Sequence, residues 1–389
     1  MTVTPDTHPG SVSPSAALSS DRRGSWIPTG GMIATRFMEL RRRRGLMGTL
    51  VGVTIGIPTI FLAVRLLLHA VDPHSYPAAG GYDIFNHLVV VVLYVFGFIV
   101  AATLGCTAGS VDLTDGMFRH LVITGRSRLA LYLARIPAGL AIIWSLVAIG
   151  FAIVCAVCVF AAPTTLNYQG VSVPAGLSQT GLENWAANHA DQVICGFPYD
   201  APIPAGVPCP NGPFGPGGPN VNPAPGSNAG QPTSTDVKAV AIQIARQDYS
   251  DYSRFFLKPS TSLMIKTGLW LELEALIGFI VGLGLGSLLG QRTVAVIMMI
   301  VLEVIITPIS SRAHIPHFIN LQRAVVGLAT AHLEPGGLSV RIFGGDGPPG
   351  AKVASILVPE TKLVAVCVIL AWLIGWTILG AWRMTTRDA

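Results

Sequence analysis

Six long apolar stretches constrain this chain more than any other feature. The hydrocarbon core of a bilayer is roughly 30 Å thick, and a helix needs about 20 apolar residues to cross it. Segments at about 49–70, 88–108, 129–161, 267–289, 293–310 and 363–382 meet that length. The third is long enough to tilt or to extend past the bilayer. Charged residues make up only 12% of the chain, about half of the roughly 25% that a soluble domain carries. A soluble enzyme or binding module is thereby excluded. The fold class read from the sequence is an all-α integral membrane protein with six transmembrane helices.

A net charge of +5 raises the possibility of a nucleic-acid partner. The arginines argue against it, because they cluster at the ends of apolar runs, where they orient helices in a bilayer. With the N-terminus inside, the cytoplasmic face receives Arg22, Arg23, Arg36, Arg41 to Arg44, Arg119, Arg126, Arg128, Arg135, Arg292, Arg383 and Arg387. The loop at 71–87 carries no Lys or Arg. The predicted topology therefore has both termini in the cytoplasm, in a multi-pass protein of the plasma membrane.

Four regions follow. Residues 1–30 are polar and rich in Pro, Ser and Thr, with no apolar signal core, and read as a disordered cytoplasmic tail. Residues 31–161 hold an N-terminal helix and the first three spans. Residues 162–266 form a large extracytoplasmic insertion. Its middle, PNGPFGPGGPNVNPAPGSNAGQP, has no means of packing a core, whereas its flanks, SQTGLENWAANHA and STDVKAVAIQIARQDYSDYSRFF, have capping and helical patterns. Residues 267–389 hold the last three spans and a second outer segment, 312–360. That segment opens on HFINLQRAVVGLATAHL, a short amphipathic or re-entrant helix, and continues into a Gly/Pro turn.

Several residues stand out chemically. Glu303 lies near the middle of the fifth span, where a carboxylate costs roughly 2.5–3.5 kcal/mol on insertion scales. It must therefore face the protein interior, a path or a dimer seam, as a substrate or proton site or as a hydrogen-bonded structural group. Glu272 is a second candidate for the path or interface. Both it and Glu274 sit toward the outer end of the fourth span, where they can reach water. Gly278, Gly282, Gly286 and Gly290 recur every four residues, which puts them on one helix face and lets another backbone approach. Cys195 and Cys209 are the only cysteines outside the spans and pair naturally as a disulfide in an oxidising compartment. Cys155 and Cys158, inside a span, read as packing residues. His314 and His317 have ligand spacing but no third ligand, so no metal site is expected.

The stretch MIATRFMELRRRRGLMG joins an apolar stripe (Met32, Ile33, Phe37, Leu40) to the cluster Arg41, Arg42, Arg43 and Arg44. Such a helix can lie in the membrane interface with its arginines on lipid phosphates. A plain stop-transfer cluster is the other reading. The loop after the second span, GCTAGSVDLTDGMFRHLVITGRSRLALYLAR, packs Asp112, Asp115, Arg119, Arg126 and Arg128 around the helix breaker Gly116. TGRSR there reads as a turn and a new helix start. Composition alone leaves two readings open, a surface for a cytoplasmic partner and a solvated loop.

Gly105, Gly109, Asp112, Gly116, Arg119 and Leu121, followed by Thr124-Gly125, Ser127-Arg128 and Arg135, resemble the signature of ABC-2 type permeases. The Arg-rich helix before the first span and the polar helical segment between the fifth and sixth spans are similar to that family as well. The insertion at 162–266 departs from its usual short outer loop. The resemblance implies an export-type permease subunit working as a dimer, with a second copy or a related permease, and driven by a separate ABC ATPase. It makes Asp112, Asp115, Gly116, Arg119, Arg126 and Arg128 the segment that couples to that ATPase. This sequence has no G-x-x-x-x-G-K-[ST] to cradle phosphates. ATP and Mg are accordingly expected on the partner, and this chain is not expected to be an enzyme. Apolar spans suit a lipid-like or amphipathic substrate. The competing readings are a secondary transporter using Glu303 and a membrane-embedded enzyme with its active domain in the outer insertion.

Overall fold

An apolar chain in a bilayer must satisfy every backbone N–H and C=O internally, and long helices do so. The computed structural model describes residues 27–73, 75–76, 78–114, 127–168, 171–190, 192–193, 234–255, 258–312, 319–336, 338 and 360–386. Six helices among them are long and apolar enough to cross a membrane: α2 (Arg44–Val71), α3 (Tyr82–Val111), α4 (Arg128–Phe160), α7 (Thr261–Leu289), α8 (Arg292–Ser310) and α11 (Lys362–Thr386). The protein is membrane-embedded, and its six spans are those expected from hydropathy. Their ends lie within a few residues of the expected ones, except that α2, α3 and α7 begin about one and a half turns earlier.

The centre of the bundle is α7 against α3. Of their apolar stretches 78% and 69% are buried, against 22% for α2 and α8 and 17% for α11. Small residues permit the α3–α7 contact. A Cβ on Gly282 would lie 2.5 Å from Ala102 O, and one on Gly286 would lie 2.5 Å from Cys106 O. Gly105 and Gly109 return the favour from α3 toward Phe279 O and Leu283 O. Gly278 is a looser member of the same row, against Phe98 O at 3.0 Å. Gly290 differs from its expected packing role. It sits at φ 68° just past the end of α7 and its N–H closes on Gly286 O, so it is the C-terminal cap.

Three spans contain π-helical turns: Gly52–Gly56 in α2, Leu88–Tyr94 in α3 and Val301–Ile306 in α8. Each adds a residue to a turn and rotates the side chains beyond it, a distortion concentrated at functional sites.

Six crossings place both ends of the chain on one side, here the tail side, and the insertion on the other. Contacts respect this division. On the tail side Arg128 Nη1 donates to Thr385 O and Arg135 Nη1 to Gly109 O, both at 3.2 Å. On the insertion side Gly80 N donates to Ala161 O and Gly81 N to Cys158 O. Arg65, near the outer end of α2, donates from Nη2 to Ala78 O in that same loop. Cys155 and Cys158 are free, and Cys158 is fully buried among the spans.

The insertion carries its own small core. It has the expected helices, α5 (Gln179–Asn188) and α6 (Ser234–Phe255), and also an antiparallel hairpin not foreseen from the sequence, β1 (Thr165–Tyr168) with β2 (Val171–Pro174). Leu182 and Ala186 of α5 pack on Ala241, Ile244 and Ala245 of α6 and on Val173 of β2. Ser178 caps α5 by accepting from Gly181 N at 3.1 Å. On the surface Arg246 grips both oxygens of Glu183, at 3.0 and 3.3 Å, and holds that carboxyl below the usual range. The pair's contribution is present above the ordinary glutamate range and fades as pH falls through the lowered value. Tyr252 staples helix to hairpin: its hydroxyl donates to Pro174 O at 2.5 Å and accepts from Leu177 N at 3.1 Å. Tyr252→Phe removes both bonds. We expect it to cost the insertion about 1–3 kcal/mol, read as a 5- to 100-fold faster amide exchange at Leu177. The Cys195–Cys209 pairing lies outside the described residues.

Candidate functional site

Two polar groupings stand out against the apolar bundle, a buried centre toward the insertion side and a platform on the tail side.

The buried centre is built where α3, α7 and α8 meet a short helix from the outer segment. Beyond α8 the chain forms α9 (Ile319–Arg323) and α10 (Val326–Ala331). All six residues of α10 are buried. Three hydrogen bonds seat the segment. Gln322 Nε2 donates to Ser310 O at 2.9 Å, Trp372 Nε1 of α11 to Ala324 O at 2.8 Å, and Trp270 Nε1 of α7 to Thr330 O at 3.1 Å.

Glu303, 6% exposed, lies in the π turn of α8. Tyr94, the last residue of the π turn in α3, donates its hydroxyl to Glu303 Oε1 at 3.1 Å. Thr307, one turn on from Glu303, faces its Oε2 at 3.4 Å and donates to Leu302 O at 3.0 Å, five residues back, as a widened turn allows. The Tyr94 ring stacks on Trp270, with centroids 4.9 Å apart and planes 6° apart. Gly327 of α10 sits directly over the carboxylate. A Cβ there would come within 2.9 Å of Glu303 Oε2 and 2.5 Å of Thr307 Cγ2, so no larger residue fits without moving the helix.

Glu274 joins this centre, one turn along α7 from Trp270. It is 2% exposed, so the expectation that it reaches water is corrected. Its carboxyl reaches Thr330 and feels the charge of Glu303, while its Oε1 has no hydrogen-bond partner. Glu272 points elsewhere. It is half-buried, its backbone oxygen accepts from Trp144 on α4, and it is not part of the Glu303 group. Of the two outer carboxylates of α7, the one proposed for the path is thus the one the fold keeps apart. Two acids in a membrane interior cost roughly 2.5–3.5 kcal/mol each on insertion scales if ionised there.

At the outer end of the segment His332 Nδ1 lies 3.7 Å from Glu360 Oε2. Burial pushes the Glu360 carboxyl up, and His332 and Arg323 pull it back down. This contact ties the end of α10 to the start of α11.

The platform on the tail side begins with α1 (Gly30–Arg42). Met32, Arg36 and Leu40 form its inward face, with Ile33 and Phe37 partly buried beside them, close to the expected stripe. Arg36 is neutralised within the helix by Glu39 at 2.6 Å. Met32 and Ile33 pack on Ala130, Leu131 and Ala134 at the start of α4. Arg41, Arg42 and Arg44 are exposed and Arg43 is partly so. Ser127 Oγ accepts from Ala130 N and starts α4, so the turn and helix start read in TGRSR are present. Among the predicted coupling residues, Arg128 is described and binds Thr385 O. Asp115, Gly116, Arg119 and Arg126 lie outside the described residues, as does the side chain of Asp112.

Sequence reasoning found Glu303 but missed Glu274, Tyr94, Thr307, Gly327 and Thr330. The available signal was a second acid, Glu274, inside an apolar span. No family model, curated protein or solved structure matches the chain.

Proposed function

We propose that the chain is the permease subunit of an ATP-driven exporter of the ABC-2 type, with its ATPase on a separate subunit. In this reading it sits in the plasma membrane with both termini in the cytoplasm, pairs with a second permease, and moves a lipid-like or amphipathic substrate. The observation that carries the proposal is the tail-side platform. The helix α1, lying ahead of the first span, is packed against the helix into which the 112–126 loop returns. Arg128 and Arg135, both on α4, tie the helix that follows that segment to α11 and to the end of α3. A push on the loop by a closing ATPase would reach α3, α4 and α11 directly, and through α3 the central α7. With its exposed arginines on lipid phosphates, α1 would hold the platform at the membrane surface.

The test is co-purification with a tagged candidate ABC ATPase. We expect the ATPase to accompany the wild-type chain and to be lost from Asp115→Arg/Arg119→Glu. A chain that purifies folded and alone, with no ATPase in any preparation, overturns the proposal. A second reading, a secondary transporter working through Glu303, has the buried carboxylates in its favour and would then lead.

A further inference from the structure

We propose that Glu274 and Glu303 form a proton-binding site closed by α10, and that release of the proton lifts α10 and opens the site toward the insertion side. The site does not depend on an ATPase partner, so it stands or falls apart from the permease reading.

Hydrogen-bond directions argue for the proton. Glu303 Oε1 accepts from the Tyr94 hydroxyl at 3.1 Å, while Thr307, 3.4 Å from Oε2, directs its proton to Leu302 O at 3.0 Å. The bond from Tyr94 favours the ionised form of Glu303. Glu274 has the opposite surroundings. Its polar neighbour is Thr330, whose hydroxyl proton is already directed to Gly327 O at 3.0 Å. Glu274 Oε1 is buried without any donor, which suits a neutral acid and not a carboxylate. The arrangement therefore holds one proton between two acids, with Glu274 as its seat.

Among the described residues, no basic group acts on either acid of the pair. Tyr94 faces it from α3, and Glu334, past the end of α10, acts on Tyr94. The basic residues flanking α10, Arg323 and His332, act on Glu360. If the proton leaves, two negative charges face each other in a dry site, and the nearest source of relief is water. The wall on the insertion side is α10, a six-residue helix with Gly327 wedged over Glu303 and held to α7 by the Trp270–Thr330 bond. Displacing α10 breaks the Trp270–Thr330 bond, frees the proton path along Thr330 and hydrates both acids from the insertion side.

The test uses the full chain in lipid nanodiscs. Infrared difference spectra are recorded as pH is stepped upward, with hydrogen exchange of 326–331 measured in parallel and corrected for its intrinsic pH dependence. In the wild type we expect a protonated-carboxyl band to disappear as exchange in α10 accelerates at least tenfold. Glu274→Gln should remove the band and leave α10 protected at every pH. Glu303→Gln should abolish the pH dependence of exchange, and either variant alone suffices if the other does not fold. A band that survives in both variants, or exchange in α10 that accelerates equally in all three proteins, overturns the proposal. A titration whose midpoint moves with sodium concentration assigns the site to a metal cation and overturns it as well.

Discussion

Gly282→Leu should leave the chain without its central helix pair. The glycine faces Ala102 with a backbone oxygen only 2.5 Å from where a Cβ would stand, and a backbone carbonyl inside a helix cannot swing aside as a side chain can. To admit leucine, α3 and α7 must separate along their seam, because Gly105, Gly109 and Gly286, and more loosely Gly278, bring the two backbones close on either side. Transmembrane association rests on such close packing, since lipid tails are as apolar as the helices themselves. We expect a loss on the order of 3–5 kcal/mol, enough to abolish the monodisperse peak in size-exclusion chromatography. The control is Gly375→Leu on α11, where nothing lies within 4 Å of the new Cβ. It should elute as the wild type does. If both variants behave alike, the α3–α7 seam is not what holds the bundle together.

The same substitution would also reach the buried centre. Trp270 and Glu274 come from α7 and Tyr94 from α3, so parting these helices separates Trp270 from Tyr94. Fold and candidate site thus share one structural cause. The glycine row that makes the closest helix contact in the bundle also aligns the carriers of the polar centre.

This linkage explains which parts were legible in the sequence. The spans were legible because a bilayer imposes a length and a polarity that hydropathy reads directly. The glycine spacing was legible because a four-residue repeat marks one helix face. Gly290 falls on the repeat but follows the last helical turn, where a positive φ is what matters. The buried centre was only half legible. Glu303 announces itself by depth, but Glu274 lies 13 residues from the start of α7, and whether it reaches water depends on what packs around it. The π turns in α3 and α8 that present Tyr94 and Glu303 leave no trace in a period of 3.6. The hairpin was missed for a different reason. Its strands are four residues each, too short for alternation to stand out beside the helical patterns that follow.

Met32→Glu should detach α1 while leaving the spans intact. Met32 is 8% exposed and rests on Ala130, Leu131 and Ala134. Its loss gives up about 1.5–3 kcal/mol of apolar burial, and the carboxylate that replaces it has no described basic partner on α4 at that contact. Amide exchange across α1 should accelerate by about 10- to 100-fold, the same free energy expressed as an opening constant. Thr35→Glu, on the exposed face of the same helix, should leave exchange near the wild-type rate. Under the permease proposal the consequence goes further, because the proposed coupling segment runs directly into the start of α4, on which α1 packs. The ATPase should then co-purify poorly with Met32→Glu and normally with Thr35→Glu. If α1 detaches and the ATPase still binds fully, α1 is a lipid anchor and the coupling surface lies in the loop alone.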